Sequence, residues 1–566
     1  MNIRVALAQI DPTVGDLEGN RKIIVHFLEE ARRAQADLVT FPELAVTGYP
    51  PEDLLFKKSF LKANELSVRR ILPHTKGITC VIGFVHASAG HLYNASALLS
   101  HSRFCGVYHK NHLPNYGVFD EKRYFSSGGE SFVFSQGNAR IGLSICEDLW
   151  VEKGPPFIEA KEGGARLLIN ISASPYEVGK QAERQRLFSR HARESGAHLL
   201  YNNLVGGQDE LVFDGGSMIF DERGRLLQMA PQFKEALLVC DLEIPPPKKG
   251  TQKKHAIVVC RLPGKKVTEK LALPAQKPHT PLSREEEIYR ALVLGTRDYV
   301  RKNGFQKVVL GLSGGIDSSL VACIAVDALG KEDVVGVSMP SLYSSRETRE
   351  DAKSLAGRLG IRCAELPIDT VFQSLLGLLS EIFKGKKEGI AVENLQARIR
   401  GLLLMALSNQ FGWLVLTTGN KSEMSTGYCT LYGDMAGGFA VIKDVPETWV
   451  YELAHFRNRE EPVIPETVIA REPTAELKPN QKDSDTLPPY EVLDPILTAY
   501  IEKNLTLSQM KRQGLREEIV KEVIRRVDGN EYKRRQGPPG VKITPRAFGK
   551  DWRLPITNRY RDGETS

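Results

Sequence analysis

The chain has 566 residues, room for several domains at about 150 residues each and for sizeable buried cores. Its 42% hydrophobic and 26% charged residues are ordinary globular values, and no apolar run reaches the ~18 residues of a membrane span. A net charge of +7 fits anionic small molecules without arguing for nucleic acid, and eight cysteines with no CxxC pair and no nearby His speak against a disulfide framework or zinc site and for a reducing, cytoplasmic setting.

In chain order, MNIRVALAQIDP reads as a strand and not as a signal peptide. RVALAQI, DLVTF, ITCVIGFV, GVYHK, ARIGLSIC, RLLINIS, LLYNN and GGSMIF read as strands. NRKIIVHFLEEARRAQA, PFIEAKEGG and KQAERQRLFSRHARESG read as amphipathic helices. A layered α/β domain is expected over 1–245. A Pro- and Lys-rich connector with strand pieces is expected over 246–281. Lys and Arg crowd into 248–270 and 533–553, either as solvated surface or as attraction for anions. A second domain is expected over 282–566. It starts with a helix capped by Ser283 and Glu286, then runs strand, Gly-rich turn, helix, strand, helix, which predicts a parallel sheet. The polar, Pro-rich stretch 471–490 reads as a mobile loop.

Three of the predicted first-half strands end on chemically loaded residues: Glu43, Lys110 and Cys146. Strand ends gather on one edge of an α/β sheet, so the three are expected together. Cys146 would attack an amide carbonyl and Glu43 would move the proton. Lys110 would stabilise the oxyanion and favour the thiolate. Asp148 and Trp150 would cap and pack the segment after Cys146. FPELAVTGYPPEDLL, YHKNHLPNYGVFDEKRYF and ICEDLW together resemble the nitrilase superfamily, in the form of the glutamine amidase half of the NAD synthetases. The resemblance implies an α-β-β-α sandwich over 1–245, glutamine contacts from Tyr116, Glu147, Ser174 and Lys180, and an accessory Glu121. Lys180 stands where some relatives carry Arg, which binds a carboxylate bidentately where Lys cannot.

In the second half, GLSGGIDSSL (311–320) follows KVVLGL and precedes a helical run. It is not GxxxxGK[ST], so a Walker-type loop is excluded. Small residues let backbone N–H groups reach an anion, and the helix adds its positive end. Asp317 beside phosphates calls for a bridging Mg²⁺. The SGGxDS loop resembles the N-type ATP pyrophosphatases but does not choose among them. ENLQARIR, TTGNKSEMSTGY, YGDMAGGFAVIKDVPET, PTAELKPNQKDSDTLPPY, EYKRRQGPPGVKIT and DWRLPITN resemble the NAD synthetases in their two-domain bacterial form.

That resemblance implies a doubly wound parallel-sheet ATP-pyrophosphatase domain and a ligase that amidates deamido-NAD through an adenylate. ATP and L-glutamine would be co-substrates, with Mg²⁺ as cofactor, an ammonia tunnel, and a homo-oligomer built through the synthetase domain. ATP would contact Gly311, Leu312, Ser313, Gly314, Gly315, Ile316, Asp317, Ser318, Thr418 and Thr474. Deamido-NAD would contact Asn394, Arg398, Glu423 and Lys533, and Asp317 and Glu423 would hold the metal. Taken singly, Asn394 and Arg398 read as a solvated helix face. Leu431 stands where single-domain relatives carry Lys, and Glu447 where a Lys near ATP is expected; either the charge is supplied elsewhere, as by Lys443, or nucleotide binding is weaker than in relatives. Two other readings stay open: another N-type ATP pyrophosphatase amidotransferase, or an ammonia-dependent synthetase carrying a non-catalytic nitrilase-like scaffold.

Overall fold

The computed structural model describes residues 1–247, 254–262, 270–273, 278–384, 389–479 and 481–560. Most of the basic run expected at 248–270, and part of the 246–281 connector, lie outside these described residues. The chain divides into two compact units, Met1–Gln208 with Val212–Leu282 and Asp209–Leu211 with Ser283–Ser566.

The first unit holds two facing sheets. One contains β1 (Asn2–Gln9), β2 (Leu38–Thr40), β3 (Thr79–Ser88), β4 (His91–Ser100), β5 (Arg103–His109) and β14 (Ala236–Glu243), in the order β14-β1-β2-β3-β4-β5. The other contains β6 (Ser131–Gln136), β7 (Ala139–Ile145), β8 (Leu167–Ser172), β9 (His198–Asn203), β12 (Met218–Phe220), β13 (Leu226–Met229) and β15 (Ile257–Arg261), in the order β13-β12-β9-β8-β7-β6-β15. β10 (Val205–Gln208) and β11 (Leu211–Asp214) form a separate two-stranded ribbon.

Strand alternation explains the layering. In β1, Ile3, Val5 and Leu7 enter a core with Ile141, Leu143 and Ile169 of the opposite sheet. Its Ala6 and Ala8 face the other way, onto Ile24 and Leu28 of α1 (Leu17–Arg33), in a cluster shared with Val68 and Ile71 of α2 (Lys58–Ile71). On the second sheet, Leu168, Leu199 and Tyr201 pack against Ala160 of α3 (Pro155–Lys161) and Phe188 and Ala192 of α4 (Lys180–Ser195). The unit is an α-β-β-α sandwich. From the connector, β15 joins the sheet edge by parallel pairing with β6.

The second unit is built on the parallel sheet β18-β17-β16-β19-β20, with β16 (Val308–Gly311) at its centre, flanked by β17 (Val334–Ser338), β18 (Arg362–Glu365), β19 (Leu414–Thr417) and β20 (Phe439–Ala440). Its leading helix α5 (Arg284–Lys302) is capped as the sequence predicts, with Ser283 Oγ accepting from the Glu286 amide at 3.3 Å. α6 (Ile316–Leu329) leaves the end of the central strand, and Ile316 and residues 318–325 are buried, which fits its nearly continuous apolar run. The remaining helices of the sheet layers are α7 (Arg346–Leu359), α8 (Asp369–Phe383) and α9 (Ile390–Phe411), followed by the short α10 (Lys421–Thr426). Stretch 471–490 is more tethered than its composition suggests. Gln396 Nε2 donates to Leu477 O at 2.9 Å, and Glu476 Oε2 accepts from Thr348 Oγ1 at 3.0 Å.

Candidate active sites

In the first unit a Lys ammonium is buried between two carboxylates. Lys110 Nζ donates to Glu43 Oε1 at 2.7 Å and to Glu121 Oε1 at 2.8 Å, and all three side chains are buried. Glu43 is fixed further by Asn94 Nδ2 at 2.7 Å and the Ala173 amide at 2.8 Å. Tyr49 Oη donates to Glu121 Oε1 at 2.9 Å, whereas the buried Glu121 Oε2 has no partner. Burial pushes the Glu121 carboxyl up, to about 7, against the pull of Lys110.

Cys146 opens the turn after β7 with φ of 42°, a left-handed conformation that costs a non-glycine residue of order 1–3 kcal/mol and is kept only where its surroundings enforce it. Two expectations are corrected here. Glu43 and Lys110 follow β2 and β5 of one sheet while Cys146 follows β7 of the other, so the set assembles across two facing sheets and not on one sheet edge. The resting cysteine is also not biased towards thiolate. Burial and the Glu43 charge push its pKa well up, and Lys110 offsets only part of that. The Glu43 carboxylate is close enough for its charge to act on the Cys146 thiol.

The other expected residues of this unit form two groups. Tyr116 Oη donates to the Glu147 carboxylate at 2.9 Å, just past Cys146. Lys180 opens α4, where it pairs with Glu183 at 3.0 Å and Glu177 at 3.3 Å and lies 4.5 Å from the Trp150 ring centre, so Trp150 does more than pack. Ser174 is held by a residue the sequence reading missed. The fully buried Arg184 pairs with Asp214 at 2.6 Å and donates to Ser174 Oγ at 3.1 Å and Ser174 O at 2.9 Å. A signal was present, because Gln181, Arg184, Phe188, Ala192 and Ser195 share the buried face of α4, and a charge at such a position must find a partner.

In the second unit the Gly-rich turn sits between β16 and α6. Gly314 has φ of 84°, and a Cβ there would meet Thr348 O at 2.1 Å, so only glycine fits. Ser313 Oγ accepts from the Gly315 amide at 3.1 Å and lies 3.1 Å from Ser318 Oγ. A cleft of about 300 Å³ opens over this turn; its walls include Ser313, Asp317, Thr418, Glu423 and Thr474.

Asp317 and Glu423 of the cleft wall gather with Glu447 around Asn420. Its Nδ2 donates to Asp317 Oδ1 at 3.1 Å and to Glu447 Oε2, and its backbone amide donates to Glu423 Oε2 at 3.1 Å. Burial, then mutual repulsion, pushes Glu423 and Glu447 well above the ordinary carboxylate range, and burial lifts Asp317 to about 6. The buried Glu447 Oε1 is without a hydrogen-bond partner. Hard oxygens crowded this way suit a divalent cation. Among the described residues no three acidic, His or Cys side chains are already arranged to hold one.

Two families match the chain: "Carbon-nitrogen hydrolase" over residues 4–245 and "NAD synthase" over residues 288–537. Glutamine-dependent NAD(+) synthetase of Thermotoga maritima is 49% identical and that of Aquifex aeolicus 46%, each over 99% of this chain and at least 99% of the relative. The chain belongs to the glutamine-dependent NAD(+) synthetases. Among solved structures, the Acinetobacter baumannii glutamine-dependent NAD+ synthetase in complex with ADP superposes with a TM-score of 0.75 at 42% identity, over 99% of both chains. The Cytophaga hutchinsonii enzyme shares the fold, with a TM-score of 0.81 at 24% identity, over 99% of this chain and 98% of that one.

Within this family frame, the residues expected to meet deamido-NAD cluster on one loop after α10. Thr430 Oγ1 donates to Asn394 Oδ1 at 2.8 Å, Arg398 Nε to Leu431 O at 3.2 Å, and Lys533 Nζ to Gly427 O at 2.8 Å. Glu423 differs, since it faces the phosphate-loop cleft. Lys443 does not supply the charge missing at 431 and 447. It is buried, its ammonium donates to Pro538 O at 2.6 Å, and burial lowers its pKa. The cations on the cleft wall are instead Arg349, Arg400 and Arg471, which the sequence reading missed. Arg471 Nη1 reaches Gly314 O at 3.2 Å, and Arg400 Nε reaches Met339 O at 3.0 Å. Arg400 and Arg471 sit 61 and 157 residues from the residues they bond, so no local pattern marks them.

Proposed function

We propose that this chain makes NAD by ATP-dependent amidation of deamido-NAD, with ammonia cut from glutamine by Cys146, Glu43 and Lys110. The observation that carries this reading is a buried Glu43–Lys110 pair beside Cys146 in one unit, together with a phosphate-loop cleft lined by Asp317 and Glu423 in the other.

In the first unit, Cys146 Sγ attacks the carboxamide carbon of glutamine while its proton passes to Glu43. Lys110, held at 2.7 Å from Glu43, carries the charge that meets the developing oxyanion. Glu43 then delivers the proton to the departing nitrogen, and ammonia leaves behind a γ-glutamyl thioester. Water, deprotonated by Glu43, frees glutamate and returns the thiol. Tyr116, Glu147, Ser174 and Lys180 hold the substrate; Lys180 reaches its carboxylate only by sharing a charge already divided between Glu177 and Glu183.

In the second unit, the amides and hydroxyls of 311–318, with Arg471 and Arg400 nearby, hold the ATP phosphates. Asp317 and Glu423 would hold Mg²⁺, which supplies neutralisation of phosphate charge. The nicotinate carboxylate of deamido-NAD attacks the α-phosphorus and pyrophosphate leaves. Ammonia then attacks the acyl carbon and AMP departs. Asn394, Arg398 and Lys533 position the dinucleotide.

A homo-oligomer through the second unit is supported by the apolar surface of α8 and α9. Leu378, Ile382, Ile390 and Leu402 are each more than 60% exposed, which suits a second copy of the chain. No helix among the described residues is long and apolar enough to cross a membrane, and all eight cysteines are free, which fits the cytoplasm.

The test is NAD formation from deamido-NAD, ATP and Mg²⁺, with glutamine or with ammonium, for the parent and Cys146→Ala. The reading expects the variant to lose only the glutamine-driven reaction. A parent that makes no NAD from either donor overturns it. A parent that uses ammonium but not glutamine turns the first unit into a scaffold, and a variant that still uses glutamine takes Cys146 out of the amidase chemistry.

A further inference from the structure

Asp148 is fully buried two residues after Cys146, and its carboxylate accepts five hydrogen bonds. Oδ1 takes the Asn111 amide at 3.2 Å, the His112 amide at 2.9 Å and His112 Nδ1 at 3.0 Å. Oδ2 takes Tyr108 Oη at 2.7 Å and the Ile145 amide at 3.1 Å. These donors bracket the two reacting groups. Tyr108, Asn111 and His112 lie on both sides of Lys110, at the end of β5, and Ile145 is the residue before Cys146, at the end of β7. β5 and β7 belong to different sheets, so one carboxylate spans the gap across which the lysine and the cysteine must meet.

A helix cap would need only the Ile145 bond and those of the turn itself. The three residues around Lys110 add nothing to a cap. They do add registration between two strands that share no backbone ladder. The left-handed φ of Cys146 makes the same demand, because a strained nucleophile turn persists only where its surroundings over-determine it. Five donors on a carboxylate shielded from water form a strong, geometrically fixed set.

We propose that Asp148 is a positioning residue that locks Cys146 to Lys110 across the two sheets, so that thiol, ammonium and Glu43 keep one fixed arrangement. This inference rests on the amidase reading above. It concerns placement only, since the partners described for the Asp148 carboxylate are the residues flanking Lys110 and Cys146.

Asp148→Asn tests it with the shape kept. One oxygen becomes an NH₂ group, which cannot accept from the donors on its side. The measurements use the full chain and compare the parent, Asp148→Asn and Tyr108→Phe. They are NAD formation with glutamine and with ammonium, and the pH profile of iodoacetamide alkylation at Cys146, read on the Cys146 peptide by mass spectrometry. In Asp148→Asn the glutamine-driven kcat is expected to fall about 10²-fold, the cost of roughly 1 Å of misplacement, with KM for glutamine and the ammonium-driven rate within about threefold of the parent. The alkylation midpoint is expected to rise, because Lys110, the cation that favours the thiolate, is no longer held beside the sulfur. Tyr108→Phe removes one donor and is expected to lose roughly fivefold in the same kcat.

Parent-like glutamine turnover in Asp148→Asn overturns the proposal, and so does a fall in turnover with the alkylation profile unmoved, which marks a purely structural part. Should Asp148→Asn lose the thermal transition of the first unit, Tyr108→Phe decides, and unchanged kcat there overturns it. A parent that forms NAD from ammonium but not from glutamine removes the amidase reading, and the proposal falls with it.

Discussion

The two sites handle buried charge in opposite ways. In the amidase unit the charges neutralise one another inside the chain: Lys110 already sits between Glu43 and Glu121, and Arg184 already holds Asp214. In the synthetase unit Asp317, Glu423 and Glu447 share Asn420, and among the described residues no Lys or Arg bonds to them. Burial drives all three upward in pKa, as expected where the countercharge comes from a ligand. A site whose substrate is neutral at the reacting carboxamide can be assembled in advance. The other site, whose co-substrate is a polyphosphate, keeps its carboxylates on the cleft wall.

That contrast can be broken at either end. The largest expected effect is from Glu43→Gln, which removes the proposed proton carrier and leaves Lys110 with Glu121 as its carboxylate partner. Glutamine-driven NAD formation should fall about 10³-fold, in the range for a lost general base, while the ammonium-driven rate stays within about twofold. Equal loss with both donors would mean the two sites are not separable in this way. Next, Asp317→Asn should lower synthesis from either donor by roughly 10²-fold and raise the Mg²⁺ needed for half-maximal rate, with glutamate release from glutamine retained. Unchanged Mg²⁺ dependence would take Asp317 out of the cation site.

The third effect is on stability. Arg184→Met strands Asp214 in the core and should cost the first unit about 3–5 kcal/mol, read as a lower Tm, with part regained on adding Asp214→Asn. A double variant no more stable than the single one would show that the pair is not the source of the loss.

The smallest effect involves Glu159, a fully buried carboxyl of α3 whose Oε2 has no hydrogen-bond partner among the described residues. Burial raises its folded-state pKa well above 4.5, so the folded chain holds a proton that the unfolded chain releases. Stability therefore falls as pH climbs from about 4.5 through the folded value, and the whole penalty is present above it. Glu159→Gln removes that dependence. Its Tm should exceed the parent's by roughly 2–4 °C at pH 8, about 1 kcal/mol in a unit of this size, and by little at pH 5. An equal gain at both values would trace the effect to packing.

Legibility followed the range of the contacts. The SGGIDS turn was readable because strand, glycine turn and helix are consecutive, and the requirement at Gly314 is written into one backbone angle. Ser283 could be assigned as a cap for the same reason. α2 and β4 escaped a local reading, although both belong to the layers that bury the first-sheet core. Glu121 was found only through resemblance, because its partners Tyr49 and Lys110 lie 72 and 11 residues away. Arg471 comes 157 residues after Gly314, the residue it bonds. Glu447 was visible as a departure, but its consequence, a third carboxylate on Asn420, was not.

By itself the sequence determined the order of elements, the division into an amidase-like and a synthetase-like half, and the identity of the groups able to do chemistry, since these depend on periodicity, turn residues and short motifs. Only the tertiary structure decided that Glu43, Lys110 and Cys146 come from two sheets, that burial pushes the cysteine's pKa up, that Lys443 bonds Pro538 O, and that Arg184 and Asp148 bond the residues around them. Those outcomes turn on burial and on distances between residues far apart in the chain, and both come into being only when the layers close.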